Sequence, residues 1–458
     1  MLQAGATPSS SDRDHALVIG ASIAGLLAAK VLAEHFGRVT LLDRDAIATD
    51  TTLRRGAPQG HHPHYLLERG ALAMEELFPG LRAQMSSEGV PIQDFGEAMH
   101  ILLPYGWAPV APTGVKVQSF SRPFLERHLR ERVLKLGNVE LIGDFCVDGL
   151  TTTGTPPAVI GVHGRQNGTA QVITADLIVD ASGRNSKLPD WLASIGLSRP
   201  AERTVEAEVS YTTRPYEGRL DNGFTCAFSL GYAPDRRQAG GVLGIEHGRS
   251  LVALFGAAGE TCPTTEQAFA AFADQLPIRS VPEYVTTHAP CGPFHRFIDR
   301  GNRWRLLHRQ HDWPAGLIAL GDTVCVFNPI YAQGMTVAAL HALALRTSLE
   351  RRETTRKYQR RAAKIIRTPW LMATSADLAW KRDAIPLLAR AAHWYLGKVL
   401  MAIPNDPDLY RHFVRVQHMR TAPTALLSPG ILRRVLITSA TSNLVQERSS
   451  RRRSQARR

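Results

Sequence analysis

Cysteine is scarce in this chain: five residues in 458, at Cys146, Cys226, Cys262, Cys291 and Cys325, with no two at metal-ligand spacing. An odd, scattered set excludes a disulfide framework and a zinc site, and fits a reduced, cytoplasmic protein. Acidic residues are short against basic ones, 41 Asp and Glu to 54 Lys and Arg, for a net charge of +13. Part of the excess lies in the Arg/Ser stretch 448–458, which reads as a disordered, solvated tail. No RNA-binding motif or zinc knuckle accompanies the charge, so nucleic acid is not an expected partner. Uninterrupted apolar runs are missing too. The longest, residues 316–345, has the length to cross a bilayer, but Asp322, Asn328, Pro329, Gln333 and Gly334 break its middle. It reads instead as strand, loop and helix. The chain shows no internal repeat and no second glycine-rich strand–turn–helix unit.

What is present is concentrated in three short segments: GASIAG from Gly20, DASGRNS from Asp180 and GDTVCVFNPIYAQGM from Gly321. The apolar run Leu17, Val18, Ile19 predicts a buried strand, and residues 23–36 have the pattern of an Ala/Leu-rich helix. Between them, Gly20 permits a sharp turn out of the strand and Gly25 lets helix and strand approach closely. The helix start then offers free backbone N–H groups to a pyrophosphate. Ser22 stands where the motif's middle glycine is expected. A second apolar strand, residues 39–42, ends at Asp43, about 20 residues beyond the loop, where an acid meets a ribose hydroxyl. Asp12 and Asp14 before this apolar run, and Lys30 within the helix, argue against a signal-peptide core.

In the second segment, Leu177, Ile178 and Val179 form a buried strand running into Asp180 and Gly183. A helix start capped by Asp or Ser is the plain structural alternative. In the third, residues 316–320 read as a strand ending in Gly321 and Asp322. The turn from Asn328 and Pro329 to Gly334 leads into a helix beginning near Met335. Its first N–H groups would stabilise negative charge.

Along the chain, residues 1–13 are polar and Ser-rich. A nucleotide-binding unit spans 14–202 and 290–350, with 85–115 contributing to the substrate side. Strand-like stretches at 207–213, 224–230 and 251–255 make 203–289 an inserted antiparallel sheet. Asn167-Gly168 predicts a tight hairpin turn. Helical patterns fall at 68–78, 124–136 and 335–349, and a C-terminal helical region covers 351–447.

Together, the three segments resemble the FAD-dependent monooxygenases of the para-hydroxybenzoate hydroxylase fold. The resemblance implies an α/β fold: a Rossmann-like FAD-binding domain, an inserted antiparallel β-sheet substrate domain and a C-terminal helical region. It extends to Ser121-Arg122, where the family places an Arg near the cofactor, and to Arg54 with Gly56, Pro58 and Gln59, similar to a mobile-loop arginine facing the flavin. The cofactor-binding set it implies is Gly20, Ser22, Gly25, Asp43, Arg54, Arg122, Asp180, Gly183, Gly321, Asp322, Pro329, Gly334 and Met335. The strings FNPIYAQGM and APQGHHPHYLL are most similar to the bacterial polyether and squalene-type epoxidases. The implied reaction is insertion of one oxygen atom from dioxygen into an apolar small molecule through a flavin hydroperoxide. It needs no protein nucleophile, and no catalytic residue or metal ligand is singled out. His61, His62 and His64 lie on a loop expected near the flavin, with packing or substrate-side hydrogen bonding as their role. Phe327 and Tyr331 are either flavin neighbours or core aromatics.

Several readings stay open at this point. Electrons come from NAD(P)H directly or from a separate flavin reductase. Epoxidation of an alkene stands beside aromatic hydroxylation and beside a reductase of the geranylgeranyl-reductase kind. The Trp-x-Trp-x-Ile-Pro motif of flavin halogenases is absent. A non-catalytic flavoprotein that docks on a partner, or peripherally on a membrane, through the basic C-terminal region is the non-enzyme alternative.

Overall fold

The computed structural model describes residues 14–46, 58–221, 223–381 and 387–437. Its centre is a five-stranded, fully parallel sheet in the order Leu317–Ala319, Leu177–Asp180, His15–Ile19, Arg38–Leu42, Val139–Ile142. These strands are short apolar runs, as expected for a sheet covered on both faces. Alternate residues serve opposite layers. Ala16, Val18, Val39 and Leu41 pack under the helices Ile23–Ala33, Arg122–Leu134 and Gly334–Glu350. Leu17, Ile19 and Leu42 join Phe145, Leu150, Trp191 and Trp304 on the other side.

Register decides what this sheet does. Ile19 pairs with both Asp180 and Leu42, and Asp180 pairs with Ala319. The strands therefore end level, about 4.8 Å apart, and the segments beginning at Gly20, Asp43, Ala181 and Leu320 emerge side by side. In open α/β sheets this carboxyl edge is where ligands bind.

A three-stranded antiparallel sheet (Phe145–Thr153, Ala158–Gln166, Thr169–Thr174) carries the expected hairpin turn at Asn167-Gly168, both at positive φ. The larger sheet has eight strands, and it is wider than residues 203–289. It gains His295–Arg305 and Cys325–Val326 at one edge, and Met99–Leu103 with Gly106–Trp107 at the other. Met99–Leu103 runs parallel to Cys226–Ser229, so the sheet is not purely antiparallel. The sequence HRFIDRGNRWR hides its strand because charged residues supply much of the burial: Asp299 is 1% exposed and Arg305 4% exposed.

The C-terminal region is helical where described. Thr355–Leu378 packs against Gly334–Glu350 and carries Pro369 within it, followed by Leu387–Ala402 and Pro407–Gln417. No helix among the described residues is long and apolar enough to cross a membrane. The stretches 1–13 and 448–458, together with Arg54 and Gly56, lie outside the described residues.

Candidate active site

The first loop is built by close approach. Gly20 sits at φ +100°, and a Cβ there would lie 2.7 Å from the Ala181 carbonyl oxygen. Only glycine takes that conformation without strain. At Gly25 a Cβ would lie 1.7 Å from the Gly20 carbonyl oxygen, so the helix Ile23–Ala33 can start against the strand only because this side chain is missing. Ser22 is the N-cap, yet its hydroxyl does not cap the helix. It donates instead to Glu126 at 3.1 Å and accepts from Arg122 at 2.8 Å. The helix N-terminus is left without a side-chain cap beside an arginine, which is the donor set that a phosphate requires.

Asp43, buried at the end of its strand, accepts from the Ala21 N–H at 2.7 Å and the Asp45 N–H at 3.0 Å. It braces the loop that it was expected to border. Arg122 opens its helix behind Ser121, whose backbone N–H and hydroxyl both donate to buried Glu246, at 2.8 and 2.5 Å. Glu246 lies in the turn between two strands of the large sheet, Gln238–Gly244 and Arg249–Gly256. It clamps the helix start that aims Arg122.

The second and third segments interlock. The Asp180 carboxylate is fully enclosed and accepts from the Ser182 N–H (2.9 Å), the Ser182 hydroxyl (2.5 Å) and the Ser186 hydroxyl (2.6 Å). Its contribution is to hold the turn. The Gly183 N–H donates to Thr323 Oγ at 2.9 Å, which ties that turn to the third segment. Gly321 lies at φ +62°, where a Cβ would come within 2.9 Å of Ala24 Cβ on the first helix. Its N–H donates to Nδ1 of buried His341 at 3.2 Å. All three segments thus touch one another at a single sheet edge.

Asp322 follows Gly321 and stays partly accessible there. Its pKa is raised, chiefly by loss of solvation and also by Asp299, with Arg122, Arg184 and Arg303 opposing the rise only in part. A Cβ on Gly334 would lie 3.6 Å from the Asp322 carboxylate, so the start of the helix Gly334–Glu350 faces this acid. That helix too lacks a side-chain cap. Pro329 is exposed on the turn and Met335 is half-buried against the core. Two uncapped helix N-termini, Arg122 and Asp322 therefore border the same sheet edge. This fits a dinucleotide carrying a pyrophosphate at one end and a ring that gains negative charge on reduction at the other.

The family match accords with this geometry. Residues 13–360 match a family model described as FAD binding domain. The chain belongs to the FAD-binding monooxygenase family. FAD is its cofactor. Protein Rv3254 of Mycobacterium tuberculosis is 33% identical over 429 residues, covering 88% of this chain and 89% of that protein. Among solved structures, a flavoprotein/dehydrogenase from Cytophaga hutchinsonii superposes with a TM-score of 0.66 at 16% identity, over 95% of this chain and 99% of that one. The p-nitrophenol 4-monooxygenase PnpA of Pseudomonas putida gives 0.62 at 14% identity, over 88% and 96% of the two chains. At such identities the superpositions speak for the fold.

Within this flavoenzyme fold, several supporting residues carried no sequence signal. Arg305, 4% exposed, donates to Glu202 (2.9 Å) and to the carbonyls of Thr323 (3.0 Å) and Ser186 (3.2 Å), bridging the second and third segments. Arg305→Ala is expected to cost about 3 kcal/mol, because charge-assisted bonds are lost and buried carbonyls are orphaned. Urea unfolding and FAD retention of the variant test this. Thr323 and His341 are further props, found only once distant elements meet.

The histidine loop faces the large sheet. His61 stacks on His295 with centroids 3.5 Å apart. His62 Nδ1 pairs with Thr213 Oγ1 at 2.9 Å, and its ring meets Tyr211 edge-on at 4.5 Å. His64 Nδ1 donates to the His62 carbonyl at 2.8 Å. No cluster of three metal-binding side chains occurs among the described residues. Phe327 is a core aromatic at 5% exposure, whereas Tyr331 is half-buried on the turn.

Burial lowers the pKa of His62 and His418 to about 3 and of His341 to about 4, against 6.5 for a free imidazole. Below pH 6.5 the unfolded chain takes up protons that the native state refuses. The stability these neutral rings allow is fully present above pH 6.5 and falls as the pH drops toward about 4 for His341 and about 3 for His62 and His418. Each contributes up to about 1.4 kcal/mol per pH unit in that window. Urea midpoints should therefore fall markedly between pH 7.5 and pH 5.5, and unchanged midpoints would contradict these assignments.

Proposed function

We propose that this enzyme inserts one oxygen atom into an apolar small molecule, most directly by epoxidation of an alkene such as a terpenoid or polyketide carries. The observation that carries this reading is the wall beside Asp322. Arg184, in the second segment, pairs with buried Asp299 of the large sheet at 2.5 Å, and its guanidinium lies 5.9 Å from the Phe297 ring. Phe297 packs on Tyr211 (5.4 Å), and Tyr211 on Phe255 (5.6 Å) and His62. Beyond the Arg184–Asp299 ion pair the wall is aromatic, and there burial depresses the pKa of His62 and pushes the Tyr211 phenol upward. Hydroxylating a phenol is assisted by a base with a pKa near the working pH, and a histidine at about 3 is a poor one. An electron-rich double bond needs no such base.

FAD, when bound, supplies the activated oxygen. Gly20, Ser22 and Arg122 would hold its pyrophosphate, Asp322 its ribityl chain, and the helix start at Gly334 and Met335 its ring. The chain's own residues bind, orient and exclude water. The sequence has one glycine-rich unit only, so NAD(P)H would be bound without a second Rossmann unit or replaced by a flavin reductase. The test is to incubate the holoenzyme with NADH, NADPH, or NADPH and a flavin reductase, against apolar alkenes and matched phenols. Epoxides that open to diols in acid support the proposal. Phenol hydroxylation alone, or products differing by two hydrogens, would replace it with the hydroxylase or reductase reading.

A further inference from the structure

Behind the turn that faces Asp322, three elements share one buried carboxylate. Asp377, on the helix Thr355–Leu378, is 3% exposed. It accepts from Asn302 Nδ2 at 2.5 Å, Asn328 Nδ2 at 2.9 Å and Tyr331 Oη at 2.7 Å. Asn302 belongs to the large sheet, while Asn328 and Tyr331 belong to the third segment. The network closes on itself, because the Asn328 N–H donates to Asn302 Oδ1 at 2.8 Å and Asn328 Oδ1 accepts from the Ile330 N–H at 3.2 Å. Asn302 and Asn328 are 2% and 1% exposed.

A carboxylate can only accept, and here three side-chain donors converge on it. A satisfied buried network of this kind selects one backbone geometry. The turn needs such support. Ala332, one residue before Gln333, sits in the left-handed region at φ +55°. That conformation costs a non-glycine residue about 1–2 kcal/mol and persists where its surroundings over-determine it. Gln333 is buried with its side-chain oxygen unpartnered, so it does not secure the helix start itself.

We propose that Asp377 is a positioning residue: it fixes residues 328–334 so that the N-terminus of the helix Gly334–Glu350 meets the FAD ring, and the C-terminal helical region thereby helps set the cofactor's reduction potential. This rests on the reading that FAD lies against this turn. Reduction adds negative charge to the ring, and a helix N-terminus stabilises such charge over about one turn only. A turn released from Asp377 should therefore bind the reduced cofactor less well than the oxidised one.

The experiment measures the midpoint potential of the FAD-loaded protein by dye-coupled reduction, with thermal stability recorded alongside. Asp377→Asn keeps the shape but turns an amide donor toward donors. The expected result is about tenfold weaker relative binding of reduced FAD, a fall of about 30 mV for a two-electron couple. Tyr331→Phe removes one donor and should shift the potential the same way by less, and it carries the test if Asp377→Asn does not fold. Ala373→Gly loosens the same helix without touching the turn, so it should lower stability and leave the potential in place. Unchanged potentials in both network variants, or an equal shift in Ala373→Gly, would overturn the proposal. Gly334→Val separates the two levels. If it shifts the potential while the network variants do not, the role of Asp377 alone fails. If none of them does, the placement of FAD against this turn fails.

Discussion

Gly25→Ala is expected to yield protein that purifies without FAD. The added methyl would sit 1.7 Å from the Gly20 carbonyl oxygen, and the obstructing atom is backbone, which cannot rotate away. The helix Ile23–Ala33 must therefore retreat from the strand His15–Ile19, taking its free N–H groups with it. Val18 Cγ1, 3.4 Å from the same Cβ, closes the other direction. Overpacking of this kind costs about 1–3 kcal/mol, and displacing the phosphate-facing N-terminus should weaken FAD binding at least about a hundredfold. Gly183→Ala is the instructive contrast. Gly183 has φ +85° with nothing within 4 Å of a Cβ, so it should cost only the backbone strain, about 1–2 kcal/mol. Flavin absorbance of the purified proteins and FAD titration of the apoproteins measure both. A yellow, fully loaded Gly25→Ala protein would contradict the packing described for the loop.

Asp180→Ala should be the most damaging change in the second segment. It leaves the Ser182 N–H and the Ser182 and Ser186 hydroxyls without their acceptor, and of these residues Ser186 is buried while Ser182 reaches solvent. A buried orphan such as the Ser186 hydroxyl costs about 1–3 kcal/mol, and with the turn loosened the change should cost about 3 kcal/mol in all. The damage spreads, because the Gly183 to Thr323 bond depends on the same turn. Asp180→Asn preserves the volume and one acceptor oxygen, so it should lose less. Urea unfolding of the three proteins gives the ranking. A stable, FAD-loaded Asp180→Ala protein would show that the carboxylate is dispensable to the turn.

The sheet edge was largely legible in the sequence. Strands such as His15–Ile19 and Leu177–Asp180 are short apolar runs that end in glycine or Asp, and such runs mark themselves. The helix from Glu68 carries a clear apolar stripe, and those from Ile23 and Gly334 are legible as long Ala/Leu-rich runs. What stayed hidden was of two kinds. His295–Arg305 mixes charged, polar and aromatic residues, and Asp299 and Arg305 are buried in ion pairs, so hydropathy gives it no outline. Likewise Glu246 acts on the helix start at Ser121, and Arg305, His341 and Asp377 on the second and third segments, and only the folded chain brings them there. Asp180 shows the converse. It was visible as part of a motif, yet its carboxylate serves the turn from inside the protein.

In the function we propose, FAD sits where the three segments meet and delivers an oxygen atom to an apolar substrate. The most direct measurement is turnover of the holoenzyme on an apolar alkene under isotopically heavy dioxygen in ordinary water, read by product mass. One heavy oxygen atom in the product is the predicted result. A product lacking the heavy label, or one changed only by two hydrogens, would contradict the account.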